Sequence, residues 1–220
     1  FEMSSFINDR QGLLRLGAST TISQYIISPV LARFHQKQKD IKVNLLNGNT
    51  EQIENALIHK EIEIGIVEGQ SKNQSIKYTP FLKDELVLVC NTKNPLIKKN
   101  EISLEDLKSM KFITRERGSG TLEVIEYSLK QVGVKISDLH IEMQLGSTES
   151  IKSYLLNSDC LAFMSIHAVD KELKNNELMV LDIANLSIER YFYIITLLGK
   201  PNALTELFIQ NLSSYYNLEL

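Results

Sequence analysis

The sequence predicts an α/β protein of two Rossmann-like lobes, each a sheet with helices packed on it. Three observations lead there. Short apolar runs alternate with longer amphipathic stretches along the chain. The first third reads strand, helix, strand, helix, strand, and parallel strands need helical crossovers of this kind. The alternation then starts afresh near Phe112. A length of 220 residues suits one large domain or two lobes of roughly a hundred residues each.

Taken in order, residues 13–17 (LLRLG) form the first expected strand. Ile22, Tyr25, Ile26, Pro29, Val30 and Phe34 then recur at helical spacing, with Ser19, Thr20 or Thr21 placed to cap. Residues 41–46 (IKVNLL) alternate like a strand, Thr50 opens a helix carrying Ile53, Ala56 and Leu57, and residues 62–67 (IEIGIV) form a third strand. Residues 76–81 and 85–90 (ELVLVC) are read as two separate strands. Ser103 to Asp106 is a capping box, in which hydroxyl and carboxylate serve free helix N–H groups. A strand at 112–115 (FITR) leads through the loop 116–120 (ERGSG) to a helix carrying Leu122, Ile125, Leu129 and Val132, ended by Gly133. A strand at 141–145, a helix at 147–156 and a strand at 161–164 follow. Two late strands, 178–181 (LMVL) and 191–198 (YFYIITLL), precede a last helix with Leu204, Leu207, Phe208, Leu212 and Tyr215.

The late strands and the last helix, returning to the start, make the first lobe discontinuous. It is placed at 12–80 plus 187–220 and the second lobe at 81–186, with residues 1–11 set apart and the chain crossing near 79–84 and 183–189. A cleft between two such lobes is a common place for a small ligand.

Composition excludes several functions. A net charge of −3, with Lys and Arg spread along the chain, argues against gripping nucleic acid directly, which takes a concentrated basic surface. Two cysteines, Cys90 and Cys160, are too few for a disulfide scaffold and suit a reducing compartment; both border apolar strands and read as buried structural thiols. No run approaches the roughly 18 apolar residues of a membrane span, and residues 1–11 carry charges where a signal peptide would be apolar, so the expected compartment is the cytoplasm. His35, His59, His140 and His167 are scattered, with neither HExxH nor GxSxG nor a nucleotide-binding glycine motif in the chain. The expectation is a protein that is not an enzyme and carries no metal or cofactor.

Polar clusters recur at one kind of place. Ser19-Thr20-Thr21, Ser119-Gly120-Thr121 and Ser147-Thr148 each follow a strand and open a helix. In open α/β sheets ligands sit beyond the carboxyl ends of strands, where helix N-termini offer N–H groups and a partial positive charge to an anion. The plain alternative is that these residues only cap helices. Arg115 and Arg117 are either the cationic partners of such an anion or solvated loop charges paired with Glu116. Glu68, ending the third strand, would oppose an anion there unless neutralised.

Taken together and in order, residues 14–29 (LRLGASTTISQYIISP), 47–50 (NGNT), 62–69 (IEIGIVEG), 81–89 (FLKDELVLV), 102–107 (ISLEDL), 114–121 (TRERGSGT) and 145–151 (LGSTESI) closely resemble the effector-binding domain of LysR-type transcriptional regulators. The resemblance runs from Gly12 onward and looks most like the branch containing regulators of sulfur assimilation. It implies the type 2 periplasmic-binding-protein fold, two lobes joined by two crossover strands, with a small anionic effector (a carboxylate or sulfur oxyanion) in the cleft changing a dimer or tetramer arrangement. By matching motif positions, Ser19, Thr20 and Thr21 would contact the effector from the first lobe. Ser119, Gly120, Thr121, Ser147 and Thr148 would do so from the second, with Arg115 and Ser165 as further candidates. DNA would be bound only through an N-terminal winged helix-turn-helix outside this chain, residues 1–11 being a linker remnant. The helices at 22–34 and 122–132 are the expected homodimer surfaces, or simply core. The sequence departs from the family at Asn157-Ser-Asp-Cys160, where a glycine-rich turn is usual. A solute-binding protein of a transporter is the alternative on the same fold, and an enzyme on the same scaffold a more distant one.

Overall fold

The computed structural model describes residues 12–69, 73–95 and 101–218; the expected linker remnant at 1–11 lies outside the described residues. The chain divides into two compact units, the first running to Leu82 and resuming at Phe192, the second spanning Lys83–Tyr191.

In the first unit, β1 (Gly12–Ser19) lies between β2 (Ile41–Gly48) and β3 (Ile64–Glu68), both parallel to it. The late part of β9 (Ile188–Leu197) adds antiparallel to β3, pairing Ile195 with Gly65 and Phe192 with Glu68. The single helix expected after β1 is two pieces. A π-helical turn, Ile22–Ile27, runs into α1 (Ser28–Lys37). The Ser28 hydroxyl donates to the Ser23 carbonyl, five residues back, at 2.8 Å. Pro29 fits the first turn of α1, where no N–H is needed. Helix α2 (Thr50–Ile58) is opened by an Asn49–Gln52 capping box.

Apolar alternation along the strands fills both faces of this sheet. Leu14, Leu16, Ile64 and Ile66 pack with Ile26, Val30 and Phe34 and with the C-terminal helix, which carries Phe208 and Leu212. Phe34 meets Phe208 edge to face at 5.3 Å. On the opposite face Ile53 and Leu57 of α2 cover Val67 and Ile195. Close approach here requires glycine: a Cβ on Gly65 would lie 2.7 Å from Ile195 Cγ1 and 2.9 Å from Ile53 Cγ2.

The second unit is built on β4 (Ile76–Asn91), one 16-residue strand where the sequence suggested two. After the one-turn helix α3 (Leu104–Leu107), capped as expected by Ser103 and Asp106, come β5 (Lys111–Arg115) and α4 (Gly120–Gln131). Then follow β6 (His140–Leu145), α5 (Thr148–Leu155), β7 (Leu161–Ser165), α6 (Ile166–Lys174) and β8 (Leu178–Leu181). The order is β4-β7-β5-β6, with β8 also on β4; β5 runs parallel to both β6 and β7, while β7 and β8 run antiparallel to β4. The stacked rings of Phe112 and Phe163 anchor one apolar cluster, and Ile113, Ile151, Leu155 and Val169 a second.

Helix α6 has no counterpart in the sequence reading, which assigned no element between β7 and the strand at 178–181; it leaves β7 without a break. Its buried Glu172 accepts from the Lys152 ammonium of α5 at 2.9 Å. The turn before β7 closes with no residue at positive φ between Asn157 and Cys160, so glycine is dispensable there. The surfaces considered for pairing are largely core: Ile22, Ile26, Val30, Phe34, Leu122, Ile125 and Leu129 are all buried. The last helix, α7, spans Ala203–Tyr216.

Cys90 and Cys160 are both buried and unbridged. Burial pushes the Cys90 thiol from its ordinary 9.0 up to about 11. Because the folded pKa is the higher one, its contribution is intact below about pH 9 and is lost as the pH climbs towards 11. The urea midpoint is expected to fall across that window, and Cys90→Ala to reduce the fall; identical pH profiles would contradict the assignment. Gly65→Ala should cost about 1–3 kcal/mol through overpacking, read as a lower urea midpoint at unchanged slope.

Candidate functional site

In the first unit the polar residues gather at the carboxyl ends of the parallel strands. Ser19 ends β1 in register with Gly48 at the end of β2, and Glu68 ends β3. Thr20 and Thr21 begin the helical turn; the Thr20 hydroxyl donates to the Gly48 carbonyl at 3.2 Å, and Thr21 makes no side-chain cap. All three are buried, and the Ser19 hydroxyl has no hydrogen-bond partner among the described residues. Thr50, opening α2, donates its hydroxyl to the Glu68 carbonyl at 3.0 Å and lies 3.5 Å from Glu68 Oε2.

The second unit repeats this arrangement at the ends of β5, β6 and β7. Ser119 is the N-cap of α4, with Gly120 and Thr121 its first two residues; Ser147 is the N-cap of α5, with Thr148 its first residue; Ser165 is the N-cap of α6. Apart from half-buried Ser147 these are buried. None of the three serines makes a side-chain cap bond. At the starts of α2, α3 and α7 the caps are closed: Asn49, Ser103 and Asn202 each accept from a backbone N–H of their own helix. The open starts therefore present the positive end of the helix dipole together with a hydroxyl. Thr114, just before the end of β5, adds a buried hydroxyl with no partner among the described residues. The sequence reading passed over it because a threonine inside an apolar strand is ordinary.

Two of these hydroxyls belong to a buried ionic network. Asp84, whose side chain is 0% exposed, accepts from Arg190 Nε at 2.7 Å and from the Ser165 hydroxyl at 2.7 Å. Arg190 Nη1 donates to Thr121 Oγ1 at 2.9 Å. His167 Nε2 lies 3.9 Å from the same carboxylate. Asp84 and Arg190 escaped the sequence reading. Their signal was a short charged run inside each of two strands rich in apolar residues, Lys83-Asp84-Glu85 in FLKDELVLV and Glu189-Arg190 in IERYFYII.

Arg115 is buried and held by Glu116 in a two-pronged pair, Nε to Oε2 at 2.9 Å and Nη2 to Oε1 at 3.1 Å. The Glu116 pairing considered from sequence is present, with Arg115 buried and Glu116 half-buried; Arg117 is exposed. Ser119, Gly120, Thr121 and Ser165 are thus drawn round one network in the second unit, with Ser147 and Thr148 opening the helix after the neighbouring strand β6. Ser19, Thr20 and Thr21 form their own cluster in the first. No group of three or more potential metal ligands occurs among the described residues, and no described helix is long and apolar enough to cross a membrane.

Comparison with known proteins gives this arrangement a family. The LysR substrate binding domain model matches residues 8–216. The transcriptional regulator CysL of Bacillus subtilis (strain 168) is 30% identical over 211 residues, 96% of this chain and 70% of CysL; several other curated relatives are spanned over only 55% to 64% of their length. Among solved structures, the CcmR regulatory domain of Synechocystis PCC6803 in complex with 2-PG is 32% identical at a TM-score of 0.84, covering 93% of this chain and 97% of that one. The effector-binding domain of QuiR in complex with shikimate shares the fold, at a TM-score of 0.81 and 20% identity over 93% of this chain and 97% of that one. The chain belongs to the LysR family of transcriptional regulators and is an effector-binding domain of that family, with its periplasmic-binding-protein-like fold.

Proposed function

We propose that this domain senses a small anionic metabolite on behalf of a cytoplasmic LysR-type DNA-binding regulator and, on binding it, shifts the arrangement of a homodimer or tetramer. The observation that carries the reading is the contrast in helix capping. Asn49, Ser103 and Asn202 close the caps of the helices they open; at Ser119, Ser147 and Ser165 the chain places a serine in capping position and leaves the cap open. Uncapped N–H groups at the carboxyl ends of strands attract an oxyanion, and the hydroxyls of Ser119, Thr121, Ser147 and Thr148 add donors without proton transfer. The ligand of the CcmR regulatory domain, 2-PG, is consistent with that chemistry.

The neighbouring ionic groups cancel one another. Arg190 is balanced by Asp84 and Arg115 by Glu116. Selectivity for an anion therefore rests on oriented dipoles. A ligand that prefers one subunit arrangement tenfold supplies about 1.4 kcal/mol to the shift, within reach of two or three charge-assisted hydrogen bonds. DNA contact belongs to segments of the regulator outside this chain. The chemistry is that of a receptor: the buried acid Asp84 is committed to Arg190 and Ser165.

Titration calorimetry with sulfite, sulfate, thiosulfate, O-acetylserine, 2-phosphoglycolate and small carboxylates should find at least one binder. For that binder Thr148→Val is expected to lose affinity about 10- to 150-fold, the worth of a hydrogen bond to a charged group. Thr20→Val is expected to lose affinity as well, because the hydroxyl bonded to the Gly48 carbonyl at 3.2 Å holds the first-unit helix start in place. Equal binding by the double variant and the parent would overturn the site assignment. Asp84→Asn should cost about 3–5 kcal/mol of stability, because it strands the Arg190 charge in the interior. Replacing both, as in Asp84→Asn/Arg190→Met, should recover much of that loss in urea unfolding.

A further inference from the structure

The end of β3 holds a group that a receptor for a bare anion would not keep. Glu68 is buried, 2% exposed, at the start of α2. The Thr50 hydroxyl has one proton, and its shorter contact, at 3.0 Å, is to the Glu68 carbonyl; the 3.5 Å approach to Oε2 is at the limit of a hydrogen bond. Oε1 has no partner at all among the described residues. On the adjacent strand the Ser19 hydroxyl, 1% exposed, is likewise unpartnered among the described residues. Two buried polar atoms without partners lie at the ends of neighbouring parallel strands, and buried acceptors are seldom left unsatisfied. Another anion cannot satisfy a carboxylate. The group that does brings a proton, as an ammonium or a hydroxyl does.

We propose that Glu68, with Ser19 beside it at the strand ends of the first unit, reads a hydrogen-bond donor on the effector, so that the ligand class is a small anion that also bears an ammonium or hydroxyl group. This rests on the anion-sensing reading above and narrows it. Plain oxyanions of the same size are disfavoured by the carboxylate. Donor-bearing ones gain a partner there, an ammonium the stronger because it is charged.

The test uses two series that differ only at one carbon substituent, hydrogen, hydroxyl or ammonium. One is 3-phosphonooxypropionate, 3-phosphoglycerate and O-phospho-L-serine; the other is propionate, L-lactate and L-alanine. In any series that binds, a donor-bearing member should bind at least tenfold more tightly than the member with hydrogen. Glu68→Leu should collapse that ratio towards one, with Glu68→Gln losing chiefly the ammonium preference and Ser19→Ala giving a smaller loss; circular dichroism reports folding of each variant. A ratio near one in the parent protein, or a ratio unchanged by Glu68→Leu, overturns the proposal while leaving the anion reading standing. If variants fail to fold, the parent ratio alone decides. If none of the six compounds binds, nor any anion of the calorimetry panel above, the anion reading falls and this inference falls with it.

Discussion

Asp84 and Arg190 face each other on β4 and β9, the two strands that pass from one unit to the other, 106 residues apart in sequence and 2.7 Å apart in space. A buried ion pair contributes little net stability, because desolvating two charges offsets most of their attraction. What it fixes is orientation. The guanidinium is planar and has its donors in a rigid fork, so committing Nε to Asp84 aims Nη1, which Thr121 receives. The second carboxylate oxygen takes the Ser165 hydroxyl. The starts of α4 and α6 are thereby tied to one charged centre, and the hydroxyls at these helix starts are held by more than their own helices.

Around that centre the chain distributes its caps unevenly. The helices opened by Asn49, Ser103 and Asn202 satisfy their own first turns, and nothing else is asked of those ends. The helices after β5, β6 and β7 do not. An uncapped start is a local cost of roughly 1 kcal/mol, and the second unit bears three such starts, all beyond the carboxyl ends of strands. Two of the nearby positive charges are balanced in pairs, Arg190 with Asp84 and Arg115 with Glu116, and the dipoles at those ends add a partial positive charge.

Much of this was legible in the sequence, and what was not has identifiable causes. Alternating apolar runs revealed the strands because each sheet is buried on both faces, and the Ser103–Asp106 box revealed its helix because cap chemistry is local. The hydroxyl clusters at 19–21, 119–121 and 147–148 were visible because they sit where strand periodicity changes to helix periodicity. Residues 82–84 fall between two strands in the sequence reading, whereas the strand runs through them; Asp84 is tolerated inside because of a partner more than a hundred residues away, which no local window contains. Helix α6 was missed for a related reason. Ser165 both ends β7 and begins the helix, and its side chain is engaged elsewhere, so no punctuation marks the change. The bidentate Arg115–Glu116 pair was considered from sequence, but its burial depends on packing that adjacency alone does not disclose.

The π-helical turn at Ile22–Ile27 has a geometric consequence. A wide turn takes one residue more than an α-turn, and one residue of α-helix corresponds to about 100° of rotation and 1.5 Å of travel. Thr20 is bound to Gly48 at the strand end, while Phe34 must meet Phe208 on the far helix. Had the same residues wound as a regular helix, the seam bearing Val30 and Phe34 would have swung about a quarter-turn from its partner. The extra residue acts as a phase shifter, letting the mouth of the sheet and the floor of the core each keep their own angular setting on one continuous coil.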